Sequence, residues 1–159
     1  MNVGAKLNVA FYSMLAIFAI TIGITFLSLN NIEAKTEEAL DQRVEQIRSV
    51  DQIRFGLSMQ GLYARAVVLD GKEESVENFE YYKEFLINEI LHLESLTTSE
   101  LMKEHIVQLQ KYNNDFNNGS LDMLDALKRD DKILANGFIN TKLRAANDGI
   151  LDIANQIID

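Results

Sequence analysis

The longest apolar run of the chain is Val9–Leu29, which reads VAFYSMLAIFAITIGITFLSL. No charged residue occurs in this run or anywhere between Lys6 and Glu33. At about 1.5 Å per residue, a helix of this length spans about 30 Å, the thickness of the hydrocarbon core of a bilayer. We therefore expect residues 9–29 to form a transmembrane helix that follows a short N-terminal segment, residues 1–8.

Two other interpretations of the apolar run are a cleaved signal peptide and a buried core helix. The apolar core of a signal peptide is usually about 7–15 residues long and ends at a small-x-small cleavage site. The run here is longer, and the sequence after Ser28 offers no clear site of this kind. No other segment is as apolar, which argues against a core helix. The sequence favours an uncleaved signal anchor.

The charges on either side of the apolar run predict its orientation. Lys6 and the α-amino group precede it, whereas the acidic residues Glu33, Glu37, Glu38 and Asp41 follow it. By the positive-inside rule, the N-terminus lies in the cytoplasm. The sequence therefore predicts a protein of the cell membrane whose residues 30–159 are extracytoplasmic.

The composition excludes several classes of protein. The 159 residues include no proline and no cysteine, and the net charge is −9. Absence of proline favours long helices, because proline breaks helix interiors. Absence of cysteine excludes disulfides, thiol catalysis and Cys-ligated metals. A strongly acidic chain is a poor partner for nucleic acid, since duplex binding needs a basic surface.

The part of the chain after the apolar run is expected to be helical throughout. Gly71 suits the left-handed end of a helix, Thr97 and Glu100 match a capping box, and Asp130 or Asp131 can cap the next helix. These turns predict four helices with short connections, which makes neighbours antiparallel. The predicted helices are about 33–69, 74–96, 99–129 and 131–159.

Apolar residues recur at alternating steps of three and four in each predicted helix. This period predicts an all-α fold, in which an N-terminal transmembrane helix continues into an up-down antiparallel four-helix bundle. Gly119 interrupts the third helix and predicts a kink or a break there. The predicted core-facing stripes are Leu40, Val44, Ile47, Val50, Ile53 and Leu57; Val76, Phe79, Tyr82, Leu86, Ile90 and Leu93; Met102, Ile106, Leu109, Asn113, Phe116, Ser120, Met123 and Leu127; and Ile139, Leu143, Ala146, Ile150, Ile153 and Ile157.

The sequence offers little for catalysis or metal binding. Glu89 and His92 match the Glu-x-x-His spacing of di-iron bundles, but that site needs a second such motif, and His105 lacks one. No Gly-x-Ser-x-Gly elbow and no glycine-rich phosphate loop occurs. The sequence predicts a protein that is not an enzyme, with no catalytic residue, no metal and no cofactor. A di-iron enzyme is the alternative that metal analysis would test.

The most unusual feature is a stripe on the first helix of the predicted bundle. Arg54, Ser58, Gly61 and Arg65 are spaced at steps of four, three and four, and therefore share one face. A guanidinium group binds a carboxylate through two parallel hydrogen bonds, so this stripe is a candidate ligand-binding site. The alternatives are a solvated face, in which Arg54 pairs with Asp51 or Gln52, and salt bridges at a dimer interface.

The order of these parts resembles the N-terminal sensor region of methyl-accepting chemotaxis proteins with a four-helix-bundle ligand-binding domain. Two segments carry local similarity: Arg54–Asp70 is similar to the family's Arg-rich segment before a turn, and Leu127–Ala135 to its turn before the last helix. The last helix, 146–159, ends with its apolar pattern still in register. The resemblance covers nearly the whole chain and consists mainly of shared architecture.

The resemblance implies a chemoreceptor module for signal transduction. In that family the bundle forms a homodimer through its first helix, an extracellular small molecule or binding protein binds between helices, and the last helix passes the signal to a second membrane span. Arg65 best matches a ligand-contacting arginine of the amino-acid receptors, although their fuller arginine set is not reproduced. Cytoplasmic signalling partners follow only if the chain continues, because no second span or output domain comes after Asp159.

Three other functions are compatible with the same sequence. The module could be the input domain of a sensor histidine kinase or of a cyclic-dinucleotide enzyme, and only sequence beyond Asp159 separates these from a chemoreceptor. A membrane-tethered structural or docking bundle is the third alternative. It predicts no stabilisation by small molecules.

Overall fold

The computed structural model describes residues 3–158, and at residues 5–7, 9 and 10 it describes the backbone alone. Met1, Asn2 and Asp159 lie outside the described residues. The structure therefore describes the predicted segment 1–8 and the end of the predicted last helix only in part. Residues 3–158 form helices joined by short turns and contain no strand. The predicted all-α class is confirmed. The helices are α1 Val3–Asp70, α2 Glu73–Ser95, α3 Glu100–Lys128, α4 Lys132–Phe138, a π-helical segment Ile139–Leu143, and α5 Arg144–Ile158.

The chain divides into two compact units, Met1–Arg43 and Val44–Asp159. The first unit consists of the N-terminal part of α1, and each of its residues from Phe11 to Asp41 is exposed. The second unit contains the rest of α1 and all the other helices. Because α4, the π-helical segment and α5 follow one another without a break, they are called the C-terminal helical segment below.

The N-terminal unit contains the predicted membrane span. Among the described residues, α1 is the one helix long and apolar enough to cross a bilayer, a test that signal sequences and core helices also pass. Its large apolar side chains are exposed, with Phe18 at 55% and Ile22 at 66%. The Thr21 and Thr25 hydroxyls each donate to the carbonyl four residues earlier, at 2.8 Å. Hydroxyls satisfied within their own helix are compatible with an apolar environment.

Local chemistry at three turns explains where the helices of the second unit end. Gly71 has a φ of +60° and Asp130 a φ of 58°, so both take the left-handed conformation that closes a helix. Asp131 caps α4, because its carboxylate accepts from the Leu134 N–H at 2.9 Å. The predicted capping box at Thr97 is wrong. Ser99 is the N-cap of α3 and accepts from the Met102 N–H at 3.2 Å.

Two apolar clusters form the core of the helical bundle in the second unit. The first cluster is aliphatic, and the second contains two phenylalanines and four alanines. The main members of the first cluster are Val50, Ile53, Leu57, Leu86, Ile90, Leu93, Ile106, Leu109, Ile150, Ile153 and Ile157. The second cluster comprises Ala64, Val67, Val68, Phe79, Phe116, Met123, Ala126, Ala135, Ile139, Leu143 and Ala146.

The predicted stripes match this core unevenly. All six predicted core positions of the C-terminal helical segment are buried. On α1 the prediction is wrong for Leu40 and Val44, which are 61% and 54% exposed, because the other helices of the bundle pack on α1 only further along the chain. The helix does not break at Gly119, since α3 continues from Glu100 to Lys128.

A π-helical segment interrupts the C-terminal helical segment where it passes α3. A Cβ atom added at Gly119 would lie 2.9 Å from Leu143 Cδ1 and 3.0 Å from Lys142 Cβ. The glycine therefore allows α3 to approach the π-helical segment closely. Widened turns of this kind are rare and often occur at functional sites.

Candidate functional site

The predicted site residues Arg54 and Ser58 make contacts within the protein. Arg54 Nη1 lies 3.3 Å from Asp51 Oδ1, and Arg54 Nη2 donates to the side-chain oxygen of Asn155 on α5. The Ser58 hydroxyl is exposed and donates to the Arg54 carbonyl at 3.0 Å. The pairing of Arg54 with Asp51 that the sequence offered as an alternative is confirmed. These contacts already engage both side chains.

Gly61 and Arg65 lie together at a cavity of about 210 Å³ between α1 and the C-terminal helical segment. Arg65 is exposed, and its Nη1 donates to the Gly61 carbonyl at 3.0 Å. The polar lining residues are Gly61, Arg65, Asn140, Arg144, Asn147 and Asp148. We call this the α1–α5 cavity. It brings together two of the four predicted site residues with four that the sequence analysis did not single out.

Arg144 is the most important of the residues that were missed. It gives the α1–α5 cavity a second arginine, contributed by α5, whereas Arg65 belongs to α1. Its closest carboxylate is Asp148 at 3.7 Å, and the two side chains are 71% and 70% exposed. An ion pair so exposed contributes little and leaves the cation available. Asn140, Arg144 and Asn147 are spaced at steps of four and three. This spacing could have predicted a second polar stripe, on the last helix of the bundle.

A buried polar layer separates the two apolar clusters. On α1 Gln60 stands between Leu57 and Ala64, and on α3 Asn113 stands between Leu109 and Phe116. Gln60 is fully buried and Asn113 is 5% exposed, whereas Asn147, between Ala146 and Ile150 on α5, is half-buried with its Oδ1 atom buried. A Cβ added at Gly61 would lie 3.4 Å from Asn147 Nδ2, so α1 and α5 are close at this level. We call Gln60, Asn113 and Asn147 the polar layer.

Several amide atoms of the polar layer have no hydrogen-bond partner within the described chain. These are Gln60 Nε2 and Oε1, Asn113 Oδ1 and Asn147 Oδ1. A buried amide without a partner costs about 1–3 kcal/mol. Asn147 also lines the α1–α5 cavity, so its buried acceptor oxygen lies beside the two arginines.

The α1–α5 cavity combines two cationic side chains with amide groups. Two guanidinium groups in one cavity suit a carboxylate, and an acceptor oxygen in the same lining suits an N–H or O–H donor of the same ligand. The volume lies below the usual range of about 300–1,000 Å³ for drug-sized ligands, so it suits a small molecule. The chemistry offered is recognition of a small anion.

A second cavity, of about 350 Å³, lies between α3 and the C-terminal helical segment. Its cation, Lys142, forms an ion pair of 2.7 Å with Asp122, which lines the same cavity. Asp115 also lines it, so this cavity holds two carboxylates and one cation, whereas the α1–α5 cavity holds two arginines and one carboxylate, Asp148. This cavity is therefore a weaker candidate for binding an anion than the α1–α5 cavity.

The Glu-x-x-His spacing of α2 has a structural use. The Ser49 hydroxyl on α1 lies 3.1 Å from the Glu89 carbonyl and 3.3 Å from Glu89 Oε2, so this turn of α2 contacts α1. His92 is exposed. Among the residues that were searched, no group of three His, Asp or Glu side chains could hold a metal ion.

Comparison with known proteins gives no further identification. The chain matches no family model, no curated protein and no solved structure.

Proposed function

We propose that the chain is the membrane-anchored sensor module of a chemoreceptor, similar to the N-terminal region of a methyl-accepting chemotaxis protein. In this proposal α1 crosses the membrane at residues 9–29 with the N-terminus in the cytoplasm. The second unit is an extracytoplasmic, up-down antiparallel four-helix bundle. A small carboxylate-bearing molecule binds in the α1–α5 cavity.

One observation carries the proposal: guanidinium groups from two different helical segments line a single small cavity. Arg65 belongs to α1, the helix that also contains the apolar run, and Arg144 belongs to the C-terminal helical segment. A ligand that binds both arginines links these two segments. The free energy of binding can then favour one position of the C-terminal helical segment over another.

The membrane part of the proposal rests on the N-terminal unit. The residues from Phe11 to Leu29 are exposed, lack charge and form a helix of sufficient length. Exposed apolar area of this extent is unfavourable in water and favourable in lipid. A homodimer formed through α1 would place two such modules side by side, as the resemblance implies.

The test is a thermal-shift screen of the full chain in lipid nanodiscs. The probes are succinate, acetate and the amino acids, and the affinity of any stabilising probe is then measured by calorimetry. Arg65→Ala and Arg144→Ala should each weaken binding by roughly 10-fold to 100-fold, as expected for loss of a charge-assisted hydrogen bond. Both variants should keep the wild-type melting temperature without ligand.

The matched control is Arg48→Ala. Arg48 lies on the same helix, is exposed and pairs with Glu45 at 2.8 Å, away from the α1–α5 cavity. Its removal should leave the affinity unchanged. A probe that binds Arg65→Ala as tightly as the wild type would remove the α1–α5 cavity from the proposal. If no probe stabilises the chain, the docking-bundle alternative becomes the better one.

A further inference from the structure

A third cavity, of about 500 Å³, lies where α1, α2, α3 and α4 come together near the turns at Gly71 and Asp130. Its lining is mainly apolar, with two lysines. The main lining residues are Val67, Val76, Leu124, Leu127, Lys128 and Lys132. We call it the apolar cavity, and none of its lining residues lines the α1–α5 cavity.

The helix ends around the apolar cavity leave few backbone groups for a ligand. The Gly71 N–H donates to the Val67 carbonyl at 3.1 Å, and the Asp130 N–H donates to the Leu127 carbonyl at 2.9 Å. Main-chain atoms of these lining residues are thus already paired. Recognition in this cavity therefore depends on its apolar side chains and on its two ammonium groups.

The two lysines differ in their partners. Lys128 lies 3.6 Å from Asp125, and both side chains are largely exposed. Lys132 makes no ion pair or side-chain hydrogen bond within the described chain, and its neighbour Asp131 uses Oδ1 to cap α4. An ammonium group at an apolar cavity is complementary to a molecule with an apolar body and an anionic end.

We propose that the apolar cavity binds an amphiphilic carboxylate, with the aliphatic part against Val76, Leu124 and Leu127 and the carboxylate beside Lys132. The volume falls within the range of small-molecule sites, and a mostly apolar lining with few polar groups is typical of them. This site is separate from the α1–α5 cavity and does not depend on the function proposed above.

The experiment measures binding of octanoate to the full chain in lipid nanodiscs, with empty nanodiscs subtracted. Octanamide serves as the uncharged probe of the same shape. Saturable binding of one octanoate per chain is expected. Lys132→Gln should weaken octanoate binding by roughly fivefold, as for an exposed ion pair, and leave octanamide binding unchanged. Val76→Trp should fill the cavity and abolish binding of both probes.

Two controls make the result specific. Lys103→Gln removes an exposed lysine that pairs with Glu100 at 2.7 Å at the other end of α3, and it should not alter octanoate binding. Arg65→Ala should also leave it unchanged, which separates this site from the α1–α5 cavity. Melting curves confirm that Val76→Trp is folded, and Leu124→Phe replaces it if it is not.

Three outcomes would overturn the proposal. These are absence of saturable binding above empty nanodiscs, equal octanoate affinity in the wild type and Lys132→Gln, and loss of binding in Arg65→Ala but not in the cavity-filling variant. The last result would place octanoate in the α1–α5 cavity.

Discussion

The two apolar clusters of the bundle are built from different side chains and have different surroundings. The first cluster contains leucine, isoleucine and valine, one methionine, Met102, and a single alanine, Ala154. The second cluster contains four alanines, and the π-helical segment contributes two of its members, Ile139 and Leu143. Both the α1–α5 cavity and the apolar cavity border the second cluster, through Ala64 and Val67.

We infer from this difference that the first cluster serves stability and that the second borders the proposed binding site. Branched aliphatic side chains fill the space between helices, and their burial supplies most of the stabilisation of such a core. Alanines fill less space and leave room for cavities beside them. We therefore expect substitutions in the first cluster to change stability alone, and substitutions in the second cluster to change ligand binding as well.

The largest expected effect is a loss of stability on substitution in the first cluster. Leu109 is fully buried there, and Leu109→Ala should destabilise the protein by about 3 kcal/mol through lost burial and the cavity that remains. Chemical denaturation measures the change. Leu143→Ala is the matched substitution in the second cluster, and it should also alter the affinity of the α1–α5 cavity, which Leu143 lines. If Leu109→Ala changed that affinity equally, the division of roles would be wrong.

The next effect concerns the polar layer between the clusters. Gln60→Met keeps the approximate volume and removes an amide that has no partner, so it should raise the free energy of unfolding by about 1–2 kcal/mol. Denaturation of the variant and the wild type under the same conditions measures it. Gln110→Met is the control, because the Gln110 amide donates to Glu94 at 3.0 Å near the surface. A loss of stability in Gln60→Met would mean that the amide is satisfied in solution.

Substitutions at two glycines test the close approach of α3 to the π-helical segment. Gly119→Ala should lower the free energy of unfolding by about 1 kcal/mol. The added Cβ would crowd Leu143 and Lys142, and the cost of this crowding should exceed the gain from the higher helix propensity of alanine. Gly137→Ala, where nothing lies within 4 Å, should stabilise by about 0.5–1 kcal/mol. Thermal denaturation compares the two. Equal shifts in both variants would contradict the crowding at Gly119.

The smallest expected effect is a pH dependence at Asp70, the last residue of α1. The pKa of this carboxyl group is lowered from 3.8, chiefly because it accepts the Lys72 backbone N–H at 3.0 Å, with the Ser75 hydroxyl as a further donor. Since the folded pKa is below the unfolded one, the stabilisation is present above pH 3.8 and is lost as the pH falls through the folded pKa.

The measurement is the melting temperature of the wild type and of Asp70→Asn as a function of pH. The difference between them should be small and constant at neutral pH and should shrink below about pH 4. A difference that grew on acidification would reverse the sign of the assigned pKa shift.

Much of the fold follows from the sequence because helical periodicity is a local property. The all-α class and the stripe from Ile139 to Ile157 could be predicted from spacing alone. Gln60 was missed, although a continuation of the α1 stripe from Leu57 to Ala64 passes through it, because a polar residue was not expected inside. The π-helical segment could not be predicted from the sequence, since local widening of a helix depends on what packs against it.

Only two of the four site residues predicted from the sequence lie at the candidate site. The stripe on α1 includes Gly61 and Arg65, which line the α1–α5 cavity, but it also includes Arg54 and Ser58, which are engaged elsewhere. Arg144 is about 80 residues away along the chain from Arg65, and only the packing of helices brings the two together. A stripe on one helix predicts which residues of that helix can line a cavity. The lining residues from other helices can be identified only from the tertiary structure.

The π-helical segment makes the number of residues in the C-terminal helical segment as important as their identity. A widened turn accommodates a surplus residue without rotating the helix that follows it. The opposite case is a substitution in residues 139–143 that lets the turn close into an ordinary α-helix while the residue is retained. Every later side chain would then rotate by about 100° about the helix axis. Ile150, Ile153 and Ile157 would leave the core together, although none of them had been substituted. Relatives of this chain in which this turn is an ordinary α-helix should therefore lack one residue within 139–143.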